Sequence, residues 1–164
     1  MKIGDRVPVV DLPIRVAGDF TTLNTGEEFK GRRVVLFALP GAFTPTCSTY
    51  QLPGFERDYE LFLSAGIEEI YCLSVNDAFV MNAWFANEGI KNVKALPDGS
   101  AEFTRRINQN VQKDNLGFGV RSWRYALVIN DGVIEQVFSE EGIADNAGSD
   151  PYEISSPENV LKHI

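Results

Sequence analysis

The segment that most constrains the fold is residues 34–48, Val-Val-Leu-Phe-Ala-Leu-Pro-Gly-Ala-Phe-Thr-Pro-Thr-Cys-Ser. Its first six residues are an unbroken apolar run between Arg32-Arg33 and Pro40-Gly41. So short a run, bounded by charges and a turn, reads as a strand buried on both faces. After the Pro40–Pro45 loop the pattern turns helical from about Thr46 to Ser64, with Tyr50, Phe55, Tyr59, Phe62 and Leu63 at apolar positions. Pro53 lacks a backbone donor inside this stretch and predicts a kink near it. Ala65-Gly66 ends the helix, and residues 68–75, Glu-Glu-Ile-Tyr-Cys-Leu-Ser-Val, read as a second buried strand. Strand, helix and strand with short links make a right-handed βαβ unit.

Downstream, Asn76-Asp77 is placed to cap a helix from Ala78 to Asn87 that Gly89 closes. Val93 to Leu96 reads as a short strand, followed by the turn Pro97-Asp98-Gly99. Ser100 is expected to cap a short helix reaching about Asn108, and the polar, Gly-rich residues 109–122 read as loop. Arg124 to Ile129 and Val133 to Phe138 are strands joined by Asn130-Asp131-Gly132, whose residues tolerate the positive φ of a hairpin turn. Residues 139–155 read as an acidic loop, and Ser156-Pro157-Glu158 opens a final helix with Ser as N-cap. This order predicts an α/β chain: a thioredoxin fold with insertions, its mixed central sheet flanked by helices. With no repeat, linker or low-complexity tract, residues 1–164 are expected to form a single domain.

Composition narrows the functions. Apolar residues make up 44% and charged residues 23%, which excludes a disordered or collagen-like chain. A net charge of −8 repels phosphate backbones, so nucleic acid is not an expected partner. Two cysteines and one histidine are too few for a Cys/His zinc site. Met1 to Val10 lacks the apolar run of a signal peptide, and Val34 to Phe43 is broken by Pro40-Gly41 and too short to span a bilayer. A cytoplasmic protein with reduced thiols is the expectation, with no membrane association.

Cys47 falls in the first turn of the predicted helix, where unpaired amides and the positive dipole end favour an anion. The thiolate is the nucleophilic form of cysteine. A free cysteine is more often a buried, inert one, but the Pro-Gly loop and Thr46 as cap point to an exposed, reactive helix tip. Thr44 stands where a dithiol oxidoreductase would carry its second cysteine. The only histidine, His163, is the penultimate residue and reads as a solvated tail residue, so no base is at hand for acyl transfer. Peroxide reduction needs none. The thiolate attacks one oxygen, the O–O bond breaks, and the departing oxygen takes a proton. The protein must orient the peroxide and stabilise charge on oxygen and sulfur, for which a hydroxyl and a guanidinium are suited.

Pro40-Gly41-Ala42-Phe43-Thr44-Pro45-Thr46-Cys47-Ser48 resembles the active-site signature of peroxiredoxins, in particular of the Prx5 or type II subgroup. Leu52-Pro53-Gly54-Phe55, Cys72-Leu73-Ser74-Val75-Asn76-Asp77 and Arg124-Tyr125-Ala126-Leu127-Val128 fit the same subgroup, so the resemblance covers nearly the whole chain. It implies a thioredoxin-fold thiol peroxidase that uses no metal, haem or flavin and acts on hydrogen peroxide and organic hydroperoxides. It further implies that Cys47 is the peroxidatic cysteine and that Thr44 bonds the peroxide and the thiolate through its hydroxyl. Pro40 would shield the pocket from water, although on spacing alone it could simply end a strand. Arg124 would fix the thiolate and polarise the O–O bond. Arg121, three residues earlier, is its rival, but it reads as solvated on a flexible loop while a strand would hold Arg124.

Cys72 has two readings. It is a small buried residue of the second strand, or it resolves the oxidised Cys47, as a matching cysteine does in some type II relatives. A disulfide needs Cα atoms within roughly 7 Å, which a helix tip and a mid-strand position do not readily provide. The chain departs from the mammalian-type pattern in having no cysteine after Cys72 in these 164 residues, and the appended glutaredoxin domain of some bacterial hybrids is not expected. The expected reductant is therefore external: glutathione with glutaredoxin, or less readily thioredoxin. The subgroup pairs through a surface near the active-site loops, which makes Phe43 and Phe79 candidates for a homodimer interface. The alternative to an enzyme is a peroxide sensor or redox-regulated chaperone using the same thiol.

Overall fold

In the computed structural model, which describes residues 1–164, the apolar run lies at the centre of a five-stranded sheet. The strands are β3 (Arg33–Ala38), β4 (Glu69–Ser74), β5 (Lys94–Pro97), β8 (Tyr125–Asn130) and β9 (Val133–Ser139), ordered β5-β4-β3-β8-β9. β3 runs parallel to β4 and antiparallel to β8, so the sheet is mixed, as expected. Alternation on β3 sends Val35 and Phe37 to one face and Val34 and Leu36 to the other. One face packs on Phe55, Phe62 and Trp84, the other on Phe29, Phe103 and Ile107, which is why the central strands are apolar throughout.

The helices are α1 (Thr25–Phe29), α2 (Leu52–Arg57), α3 (Tyr59–Ser64), α4 (Ala78–Asn87), α5 (Glu102–Arg106) and α6 (Pro157–Leu161). Asp77 caps α4 by accepting from the Val80 amide at 2.9 Å, and Ser156 caps α6 by accepting from the Asn159 amide at 3.2 Å. The hairpin turn between β8 and β9 uses positive φ at Asp131 (49°) and Gly132 (77°), as the Asn-Asp-Gly sequence predicts.

Several expectations are corrected. Residues 109–122 are not all loop: β6 (Asn110–Gln112) and β7 (Val120–Ser122) form an antiparallel ribbon around a short 3₁₀ turn at Asp114–Leu116. Ser100 does not cap α5. Ala101 precedes that helix in the left-handed region, and the Asp98 carboxylate takes the Phe103 and Thr104 amides at 3.1 and 2.9 Å. A carboxylate carries full charge to the orphan amides and wins over a hydroxyl. The N-terminal residues, unassigned from sequence, add the hairpin β1 (Asp11–Val16) and β2 (Asp19–Asn24) as a separate sheet.

The long helix after the active-site loop is interrupted twice. Cys47–Gln51 forms a π-helical turn in which the Leu52 amide donates to Cys47 O, five residues back. Pro53 has no N–H to continue an α ladder, so the irregularity falls in the turn before it. The second break is at Asp58, whose φ and ψ are −93° and 8°.

Candidate active site

The site is built where the carboxyl end of β3 meets the helix that follows it. The chain turns at Pro40-Gly41-Ala42-Phe43, with Phe43 at φ 64°, an uncommon conformation for a residue bearing a side chain. The loop is tied down. The Ala42 amide donates to Asn76 Oδ1 at 3.0 Å, and Asn76 Oδ1 also accepts from the Ser74 hydroxyl at 2.6 Å. The Thr44 hydroxyl donates to Gly41 O at 2.7 Å, and Thr44 O accepts the first helical amide, Ser48, at 3.0 Å. Thr44 rather than Thr46 is thus the helix-starting residue, and Thr46 makes no side-chain cap.

Cys47 is fully buried, not an exposed tip. It sits in the same core cluster as Ala42, Leu52, Phe55 and Trp84, and Pro40 and Gly41 are buried beside the loop. The Trp84 indole donates to the Ser48 hydroxyl at 2.9 Å and fixes the first turn against α4.

The partner of the sulfur is Arg124, 1% exposed, whose Nη1 donates to Cys47 Sγ at 3.5 Å. Nη1 also donates to Gln51 Oε1, and Nη2 donates to both oxygens of Asp150 at 2.8 and 2.7 Å. Burial pulls the Arg124 guanidinium down, but the charges of Cys47 and Asp150 outweigh it and hold the group above its ordinary value. A buried cation of this kind is tolerated only because anions and acceptors surround it.

Arg121 is not the solvated cation expected from sequence. The β6–β7 ribbon fixes its backbone opposite Val111, and its Nη1 donates to Pro40 O at 2.9 Å. Its guanidinium lies 4.9 Å from the Phe118 ring centre. Burial lowers its pKa, and the charge of Cys47 opposes that shift. Thr44, Pro40, Cys47, Arg121 and Arg124 therefore meet at one place. Sequence reasoning missed Gln51 and Asp150. Gln51 lies four residues after Cys47, on the same helical face, which is a usable signal. Nothing in the sequence pairs Asp150 with an arginine 26 residues away.

Cys72 lies in mid-β4, between Phe37 of β3 and Ala95 of β5, fully buried and in the cluster that holds Cys47. Both cysteines are free thiols. Burial, with a smaller contribution from Cys47, pushes the Cys72 thiol well above its ordinary value.

The Redoxin family profile matches residues 2–154. A peroxiredoxin of Rhizobium etli is 56% identical over 171 aligned positions, covering 99% of this chain and 96% of the relative. The chain belongs to the peroxiredoxin family. As a peroxiredoxin it is a thiol peroxidase, an oxidoreductase that takes a peroxide and a thiol reductant. Among solved structures, the Plasmodium falciparum antioxidant protein, a 1-Cys peroxiredoxin, matches with TM-score 0.95 at 38% identity, over 99% of this chain and 97% of that one. Reduced Prx3 of Vibrio vulnificus in complex with hydrogen peroxide matches with TM-score 0.90 at 34% identity, over 99% and 98% of the two chains. These likenesses bear out the predicted thioredoxin-type arrangement. No helix of this peroxiredoxin is long and apolar enough to cross a membrane.

Proposed function

We propose that residues 1–164 act as one peroxiredoxin domain in which Cys47 is the peroxidatic residue, reducing hydrogen peroxide and small organic hydroperoxides. The observation that carries this reading is the buried Arg124 guanidinium 3.5 Å from Cys47 Sγ. Cation and thiolate neutralise each other away from water, and the same guanidinium stabilises charge on a peroxide held against the sulfur. The Cys47 thiolate attacks the terminal, hydrogen-bearing oxygen of ROOH. The S–O bond forms as the O–O bond breaks, sulfur is oxidised to sulfenic acid, and the departing oxygen takes a proton and leaves as ROH. Thr44 turns its hydroxyl from Gly41 O to the bound peroxide. Pro40, buried at the mouth of the loop, keeps water from the sulfur. The hydrogen peroxide complex of the similar Vibrio vulnificus protein supports this substrate class.

The oxidised Cys47 is reduced by an external thiol. Glutathione attacks the sulfenic acid, water leaves, and a second thiol on glutathione or glutaredoxin exchanges with the mixed disulfide to restore the thiolate. Thioredoxin is the less favoured reductant. Two features support a one-cysteine cycle: Cys72 is a buried, protonated and hence poorly nucleophilic thiol, and the similar Plasmodium falciparum protein is a 1-Cys peroxiredoxin. The test is Cys72→Ser assayed with glutathione plus glutaredoxin. Turnover near wild type fits the cycle. Lost turnover with normal first oxidation, and a Cys47–Cys72 disulfide in the wild type, would overturn it.

The protein works as a cytoplasmic homodimer in this reading. Phe43, in the active-site loop, is 52% exposed and Phe79, in the first turn of α4, 57%, and Phe79 packs edge-on against the exposed Phe20 at 5.6 Å. Asn76, which holds the Ala42 amide, links that face to the active-site loop. Phe79→Glu should give a monomer by light scattering, and an unchanged dimer would place the interface elsewhere.

A further inference from the structure

The chain between β9 and α6, which reads from sequence as an acidic loop, is a strap with two anchors. At its end, the buried Glu140 carboxylate accepts the amides of Glu153, Ile154 and Ser155 at 3.1, 3.1 and 2.7 Å, and the Ser155 hydroxyl at 2.6 Å. Nearer its start, the Asn146 amide donates to Gln112 O at 2.7 Å, and Asp145 accepts the Gln112 amide at 2.8 Å. Asp150 lies between the anchors and puts both carboxylate oxygens on Arg124 Nη2. Tyr152, two residues on, stacks on Tyr50 at 6.5 Å, with the Arg124 guanidinium 5.7 Å from its ring centre.

The need for such a contact follows from Arg124 itself. Its Nη1 serves both Cys47 Sγ and Gln51 Oε1, and its Nε, though buried, has no partner. Nη2 has no other acceptor in the site than Asp150. Without Asp150 the guanidinium keeps only its Nη1 contacts and loses the anchor at Nη2. Both Asp150 oxygens meet the single nitrogen Nη2, so with Cys47 and Gln51 on Nη1 the guanidinium is held at both ends by charge-assisted bonds. We propose that Asp150 is a positioning residue of the peroxidase reaction, acting through Arg124, and that the strap exists to present it. This rests on the reading of Arg124 given above.

Asp150 also neutralises part of the charge that Arg124 offers the thiolate, so removing it could speed the reaction. Its side chain is 43% exposed, so water and salt screen that charge. Misplacement of a preorganised group by about 1 Å costs on the order of 100-fold. Positioning therefore wins, and loss of Asp150 slows the enzyme.

The test compares two reactions of Cys47 in the full-length protein: single-turnover oxidation by hydrogen peroxide, and alkylation by iodoacetamide, which has no O–O bond to polarise. Asp150→Asn should slow peroxide oxidation by about 10–100-fold while alkylation stays within about twofold of wild type. Asp150→Glu, which keeps the paired oxygens, should recover most of the peroxide rate. Asp150→Asn added to Arg124→Met should cause no further loss, because the two act as one unit. A normal or faster peroxide rate in Asp150→Asn overturns the proposal, as does equal slowing of both reactions or an additive loss in the double variant. If Arg124→Met itself leaves the peroxide rate unchanged, the reading of Arg124 fails and this one falls with it. If Arg124→Met is slow and Asp150→Asn is normal, only the present proposal fails.

Discussion

Replacing Arg124 by Met removes the cation bonded to the Cys47 sulfur while keeping an unbranched apolar stem in its place. The loss can be divided. For the reaction, one preorganised donor to developing charge goes, worth about 2.7–4 kcal/mol of barrier, or roughly 10²–10³ in rate. For stability, Gln51 Oε1 is left buried without its donor, at a cost of about 1–3 kcal/mol. Asp150, 43% exposed, returns to water with little penalty. A domain of this size holds roughly 5–15 kcal/mol, so the variant stays folded at 25 °C. Stopped-flow fluorescence is a suitable assay, since the Trp84 indole is hydrogen-bonded to Ser48 beside the reacting sulfur. Urea denaturation gives the stability change separately. An Arg124→Met oxidation rate within threefold of wild type, in a folded protein, would refute the reasoning. It would do so most clearly if Arg121→Met were the damaging change instead.

Thr44→Val removes the only hydroxyl of the Pro40–Pro45 loop and should slow peroxide oxidation by about 10²-fold, with alkylation by iodoacetamide little changed in the same protein. Gly41→Ala places a Cβ against Arg121 Nη1, which then gives up its bond to Pro40 O; unfolding free energy should fall by about 1 kcal/mol, measured in urea. Cys72 supplies a pH prediction. Its folded pKa is raised, so its stabilising contribution is intact below the unfolded thiol value of about 8.5 and is lost as pH rises toward the folded one. Above pH 9 the wild type should therefore lose stability more steeply than Cys72→Ala, by at most about 1.4 kcal/mol per pH unit; parallel curves would show that Cys72 ionises as readily folded as unfolded.

The legible parts of this fold were those where local pattern and tertiary role agree. The apolar runs of β3 and β4, the Asn130-Asp131-Gly132 turn, and the caps Asp77 and Ser156 all follow from periodicity or turn chemistry. What was not legible depends on partners far away in the chain. β6 and β7 are three residues each and gain strand geometry only by pairing across a 3₁₀ turn. Arg121 looks solvated until that ribbon aims it at Pro40. The burial of Cys47 was missed for a related reason: the loop that precedes it is tied down by Asn76, a residue of a different β-strand's end. Asp150 sits in a stretch with no periodicity, and the anchors at Gln112 and Glu140, distant from it in the chain, turn that stretch into a strap facing the site.

The central claim is that Cys47, and not Cys72, reacts with peroxide. It is tested most directly by exposing the reduced protein to one equivalent of hydrogen peroxide with dimedone present, then mapping the adduct by peptide mass spectrometry. The account predicts a sulfenic-acid adduct on the peptide carrying Cys47 and none on the peptide carrying Cys72, with Cys47→Ser giving no adduct at all. An adduct on Cys72, or continued peroxide consumption by Cys47→Ser, would contradict it.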